Sequence, residues 1–252
     1  MSNVIVIGCG GIGGYLALPL LKFMEYKYIE WKNQFTKDDV IPKIVHKITY
    51  IDGDIFEEKN LDRQVCSTQS IGESKAKYLA QLSEVFSNNV EIDFKSSYVT
   101  YKNINEMIPN NAIVFLCVDN HNTRKLIDDF RMESQILVIN GGNELNDGNV
   151  QLTDFSVKSM SEVHPEIDKP KDKNPGEDCI AGAESTPQLS VTNNMVASIM
   201  LCYFNKLFNK ISKYYCDIEF DAVDIDIHET YFDINSIETA SFDRKKEKKK
   251  DS

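Results

Sequence analysis

Val4-Ile5-Val6-Ile7-Gly8-Cys9-Gly10-Gly11-Ile12-Gly13-Gly14 opens the chain, four β-branched residues running straight into a glycine turn. Strand, Gly-x-Gly-x-x-Gly and then helix is the order that a mononucleotide or dinucleotide site needs. Gly8 and Gly10 let the backbone turn sharply and approach a phosphate with no Cβ in the way, and Gly13 lets the new helix pack against the strand. The helix N-terminus then offers N–H groups to an anion. An ordinary tight strand–helix turn carries the same letters, so the pattern by itself leaves both readings open. The helix is expected from Gly11 to about Phe23, with Leu16, Leu20 and Phe23 on one side and Pro19 as a candidate kink.

Working outward, residues 24–43 form a long link rich in Tyr, Lys and Asp, expected to extend the helix and add a surface loop. Residues 44–51 read as a second strand ending at Asp52-Gly53-Asp54. Ser70-Ile71-Gly72-Glu73 has capping-box form ahead of a helix whose apolar face includes Leu79, Leu82 and Phe86. Val90 to Phe94 alternates as a short strand. Ala112 to Val118 is a continuous apolar run, the mark of a central parallel strand, and it ends at Asp119. Ile136 to Asn140 repeats that pattern and is expected to stop at Gly141-Gly142. Asn149 to Phe155 and Val157 are strand-like, and 158–178, with its charges and prolines, reads as a loop or crossover. A long amphipathic helix is expected from Asn194 to about Ile211, then strands over 217–227 and 230–234. The 242–252 tail is charged and expected to be disordered.

Composition narrows the function. A chain of 252 residues holds one large α/β domain with a full core, or a domain plus an appendage. The net charge of −11 argues against nucleic acid as the partner. No apolar run is long enough to span a bilayer and no signal peptide precedes the first strand, so a soluble cytoplasmic protein is expected. Six cysteines, Cys9, Cys66, Cys117, Cys179, Cys202 and Cys216, are scattered with no Cys-x-x-Cys pair, which argues against a disulfide framework and a structural zinc site. Only four arginines occur, and two of them, Arg63 and Arg124, fall among the motifs. Where Lys is the default cation, a retained Arg points to its planar fork.

The order of these motifs resembles the ubiquitin-activating-like family, whose bacterial members include ThiF, MoeB and HesA. The resemblance runs from Val4 to about residue 210. It rests on Gly8-x-Gly10-Gly11-x-Gly13, Asp52-x-Asp54, Asn60-x-x-Arg63-Gln64, Gly72-x-x-Lys75 and Val118-Asp119-Asn120-x-x-x-Arg124. Gly141-Gly142 with Gly148-Asn149-Val150 adds a lesser match. The Asn-x-x-Arg-Gln element is the specific part, because NAD enzymes have no use for it.

The resemblance implies a Rossmann-like α/β fold with a mainly parallel sheet, extended by antiparallel strands from 149–157 and 217–234. It implies one adenylation domain over 1–241, with a crossover at about 158–185. It also implies ATP and Mg²⁺ as cofactors, and adenylation of a carboxylate, foremost the C-terminal glycine of a small ubiquitin-like protein, by a homodimer. Asp52 would accept hydrogen bonds from the ribose, or be a turn aspartate. Arg63 and Lys75 would hold the triphosphate and offset the charge that builds at the α-phosphate. Asn60 and Gln64 would position phosphate oxygens, or form the turn. Asp119 would ligate Mg²⁺, or cap a helix that Asn120 caps equally well. Arg124 either reaches the site or braces the helix. Cys179, in Gly176-Glu177-Asp178-Cys179, stands where thioester-forming members carry their cysteine, and is either that nucleophile or a core thiol.

The chain departs from the family pattern in two ways: no helix with an arginine precedes the first strand, and the zinc-site cysteines are missing. Other classes stay open at this point. They are ATP-dependent activation of a small-molecule, peptide or tRNA-base carboxylate, an NAD-dependent oxidoreductase that leaves Asn60, Arg63 and Lys75 unexplained, and an inactive scaffold subunit.

Overall fold

Residues buried on both faces of a strand must read as an unbroken apolar run, and Val4 to Ile7 are each at most 3% exposed. They lie in β1, Ser2–Ile7, at the middle of a computed structural model that describes residues 2–34, 46–154, 158–170 and 188–208, with the strands at 214–221, 226–233 and 239–242. On one side β1 pairs in parallel with β2, His46–Ile51, and β2 with β3, Val90–Lys95. On the other side it pairs in parallel with β4, Ile113–Leu116, and β4 with β5, Leu137–Asn143. From there the sheet turns antiparallel through β6, Asp147–Thr153, β7, Tyr214–Asp221, β8, Asp226–Asp233, and β9, Thr239–Phe242. The order is therefore β3-β2-β1-β4-β5-β6-β7-β8-β9. This is the expected Rossmann-like sheet with its antiparallel extension. Strand order reverses beside β1, which opens a crevice at the carboxyl ends of β1 and β4.

Helices cover both faces. α1, Gly11–Lys32, α2, Lys75–Glu84, and α6, Ser190–Phe208, share one apolar cluster with Val4 and Val6 through Leu16, Leu20, Leu79, Val196 and Met200. α3, Ile104–Met107, α4, His121–Ser134, and α5, Met160–Val163, share the other with Ile5 and Ile7 through Ile104, Ile127, Phe130 and Met160. Period-2 alternation in β1 thus feeds two cores.

α1 runs on through Pro19 to Lys32, the extension expected of residues 24–43, and its buried Glu25 ties it to the start of β3, whereas several other boundaries differ from the sequence expectation. The Glu25 carboxylate accepts from the Asn88, Asn89 and Val90 N–H groups at 2.7, 2.8 and 3.2 Å. Burial alone would raise its pKa, but these bonds hold it below the ordinary value. α2 is capped by Ser74, whose hydroxyl accepts from Lys77 N–H at 3.3 Å. Ser70 caps nothing there, and its hydroxyl donates to the Ser67 carbonyl at 2.7 Å instead. β5 does not stop at Gly141-Gly142 but runs through them to pair with Val150 and Asn149 of β6. α6 starts at Ser190, ahead of Asn194. The expected 217–227 strand is two, β7 and β8, with Asp221 opposite Asp226. Residues 35–45, 155–157 and 171–187 lie outside the described residues, as does the tail beyond Phe242, which closes β9.

Candidate active site at the strand carboxyl ends

The glycine turn closes over the crevice. Gly8 has φ +90°, and a Cβ there would sit 2.6 Å from the Cys117 carbonyl oxygen. Its N–H donates to the Ile51 carbonyl at 2.9 Å, and Cys117 N–H donates to the Ile7 carbonyl at 2.8 Å, so the turn is sewn to the ends of β2 and β4. A Cβ on Gly13 would lie 2.0 Å from the Gly8 carbonyl oxygen, the close helix–strand packing expected of it. Gly10 precedes α1 without any side-chain cap, and the first turn of that helix holds no acid. The positive end of a 22-residue helix is therefore left for an anion. Two amides lie over this turn. Gln64 Nε2 is 3.3 Å from where a Gly10 Cβ would be, and Asn193 Nδ2 is 2.4 Å from where a Gly11 Cβ would be. Gln64 Oε1 is buried with no hydrogen-bond partner among the described residues.

Asp52 follows β2 directly. Its half-buried carboxylate accepts from Cys9 N–H at 2.6 Å and from Asp54 N–H at 2.8 Å. Burial first, and then the neighbouring Asp54 charge, push its pKa up to about 6 against the pull of Lys75. Each carboxylate oxygen keeps a lone pair for a further donor, as a ribose acceptor requires. Lys75, the first residue of α2, is buried and lies 3.2 Å from Asp54 Oδ2. Tyr98 donates its hydroxyl to the other Asp54 oxygen, and its ring covers Gly53, where a Cβ would meet it at 2.6 Å. Burial, then Asp52, pushes the Cys9 thiol well up, and burial pushes up Cys117, so neither is a thiolate nucleophile.

Asn60 organises the next loop from inside. It is 3% exposed, its Oδ1 accepts from Glu57 N–H at 2.9 Å, and its carbonyl accepts from Arg63 and Gln64 N–H at 3.3 and 3.0 Å. Arg63 donates to the Lys59 carbonyl and, at 3.1 Å, to Asp62.

Asp119 lies just beyond β4 on the same carboxyl edge. It is exposed, and its carboxylate has no hydrogen bond or ion pair among the described residues. Asn120 caps α4 by accepting from Thr123 N–H at 2.8 Å, so Asp119 is spared that task. Arg124 is buried and donates to the Val118 and Gly141 carbonyls at 2.9 and 3.4 Å, bracing the ends of β4 and β5. Among the described residues no group of three or more His, Cys, Asp or Glu is disposed to hold a metal. Mg²⁺ needs less, one or two carboxylates alongside phosphate oxygens, and Asp119 fits that. Cys179 lies outside the described residues.

The structure thus joins Cys9 of the glycine turn, Asp52, Asp54 and Lys75 by direct contacts, ties Gly8 to the end of β2, and brings Gln64 onto Gly10. Three residues the sequence reading passed over belong with them: Tyr98, Asn143 and Asn193. Only Asn193 had a legible signal, a polar residue in helical register with the buried Val196 and Met200.

Comparison with known proteins agrees with the motif order. The chain belongs to the ThiF family, whose model matches residues 1–252. It is 25% identical over 154 residues to "Adenylyltransferase and sulfurtransferase UBA4" of Meyerozyma guilliermondii, covering 61% of this chain and 32% of that protein. It is 24% identical over 141 residues to "SAMP-activating enzyme E1" of Haloferax volcanii, covering 56% of this chain and 45% of that one. The chain thus matches a third to under half of the length of these relatives. Among solved structures, Escherichia coli MccB with ATP superposes with TM-score 0.66 at 17% identity, over 91% of this chain and 63% of that one. PaaA gives 0.61 at 18% identity, with the same coverages. No helix among the described residues is long and apolar enough to cross a membrane.

Proposed function

We propose that the protein adenylates a carboxylate with ATP, foremost the C-terminal glycine of a small ubiquitin-like protein. The observation that carries this is the uncapped N-terminus of α1, flanked by Gln64 and the Arg63 loop and set between Asp52 and Asp119. An anion site of this kind, with a ribose acceptor on one side and an unpaired carboxylate on the other, suits a nucleoside triphosphate better than NAD. The two curated relatives, named for adenylyl transfer and for activation of SAMP, support the reading.

In the reaction the carboxylate oxygen attacks the α-phosphorus, the bond from that phosphorus to the bridging oxygen breaks, and pyrophosphate leaves. The protein's part is positioning and charge stabilisation. Asp52 accepts from the ribose, the α1 N-terminus and Gln64 take phosphate oxygens, and Arg63 and Lys75 offset the growing negative charge. Lys75 exchanges its Asp54 contact for phosphate, and Arg63 its Asp62 contact. Asp119 would hold Mg²⁺, which supplies further charge neutralisation when bound. The family resemblance also suggests a homodimer and a later acyl transfer to Cys179.

The test is exchange of labelled pyrophosphate into ATP. Exchange is expected only with Mg²⁺ and a carboxylate partner ending in Gly-Gly. No exchange with that partner, but exchange with a short peptide or small acid, moves the substrate class. Binding of NAD in place of ATP overturns the reading.

A further inference from the structure

One buried side chain touches three parts of this site and has no role in it so far. Asn193, in the first turn of α6, is 0% exposed. Its Nδ2 donates to the Arg63 carbonyl at 3.3 Å, across 130 positions of sequence. Its Oδ1 accepts from Asn143 Nδ2 at 3.1 Å, at the end of β5. The flat of the amide lies on Gly11, so close that a methyl there would fall 2.4 Å from Nδ2 and 2.5 Å from Cγ and Oδ1. A buried amide is costly unless bonded, and an asparagine is a poor choice within a helix. This one is bonded at both ends and caps no N–H of its own helix. Gly11 lacks a side chain because Asn193 occupies that space.

We propose that Asn193 is a positioning residue that holds Arg63 in register with the glycine turn for the triphosphate end of ATP. It fixes the backbone from which the guanidinium extends and presses that loop onto α1, where the phosphates would be bound. The Arg63 guanidinium also donates to the Lys59 carbonyl and Asp62 of its own loop. The loop also packs on the turn through Gln64 at Gly10 and Val65 at Gly14, but Asn193 is what bonds to the Arg63 backbone itself. The proposal rests on the adenylating reading and concerns the phosphates alone, since the adenosine end is assigned to Asp52 on the far side of the turn.

The test is calorimetric titration of MgATP and of AMP into the wild type, Asn193→Ala, Arg63→Ala and the double variant. Asn193→Ala is expected to bind MgATP about tenfold less tightly, a loss of the size set by one or two hydrogen bonds, with AMP affinity unchanged. The double variant should bind MgATP no worse than Arg63→Ala, because Asn193 acts through that residue. Asn143→Ala, which only loosens the Oδ1 side, should give a smaller loss of the same selectivity, and decides the matter if Asn193→Ala does not fold. Unchanged MgATP affinity, an equal loss of AMP, or losses that multiply in the double variant overturn the role. A wild type that binds neither nucleotide overturns the adenylating reading and this role with it.

Discussion

A single methyl group tests the glycine turn. Gly8→Ala combines a strained positive φ with a Cβ 2.6 Å from a backbone oxygen that cannot move away. Gly72 has a similar φ of +87° but nothing within 4 Å of its Cβ position, so it isolates the strain. Urea denaturation should show a loss of about 1 kcal/mol for Gly72→Ala and about 3 kcal/mol or more for Gly8→Ala. Asp52 gives a second test at this scale. Its folded pKa, about 6, lies above the ordinary aspartate value, so the fold favours its protonated form. That contribution is complete below about pH 4 and is lost as pH rises through 6. Between pH 4 and 7 the wild type should therefore lose about 2 kcal/mol of stability that Asp52→Asn does not lose, read as the difference between their denaturation curves. Nucleotide that bonds the ionised carboxylate should move the midpoint of that loss downward.

At the scale of elements, α4 depends on Asn120 for its start. Removing the side chain leaves Thr123 N–H without its 2.8 Å acceptor, and Asn120→Ala is expected to lower stability by about 1 kcal/mol in urea denaturation. Which elements form was largely legible in the sequence, because β1 and β4 are buried on both faces and their apolar runs admit no other placement. Where they end was less legible, since the ends are set by partners far along the chain. The extension of α1 past Phe23 was expected, but its anchor was not, because Glu25 accepts from three N–H donors more than sixty residues away. β5 passes Gly141-Gly142 because β6 returns beside it, and Met200 and Val196 of α6 occupy the space above Gly141. The site divides in the same way. The placement of Asp52, Lys75 and Asp119 at the strand carboxyl ends follows from motif order, whereas of Asn193 only its place on the buried face of its helix was legible, and the long-range contacts of Asn193 and Tyr98 are ones that no local spacing encodes.

At the scale of the whole molecule, the sheet puts its chemistry on one edge and divides its helices between two faces. Ile167 belongs with α4 and α5 in one cluster, and α6 packs with α1 in the other. Cys179 lies between Ile167 and α6 in sequence. As the proposed nucleophile, its thiolate would attack the acyl carbonyl of the adenylate, forming a thioester as the bond to AMP breaks, with the thiol proton passing to solvent. Glu177 and Asp178, its neighbours in sequence, add negative charge that opposes a thiolate, so the rate of thioester formation is expected to climb with pH. Cys179→Ala is expected to exchange pyrophosphate at the wild-type rate yet accumulate no thioester-linked or reducible partner. Mass spectrometry of the denatured, non-reduced reaction distinguishes the outcomes, because an acyl-thioester adds the partner's mass less one water to the enzyme chain. An adduct of that mass that persists in Cys179→Ala assigns transfer to another group and leaves Cys179 a structural thiol. The absence of any adduct in the wild type makes the protein an adenylating enzyme alone.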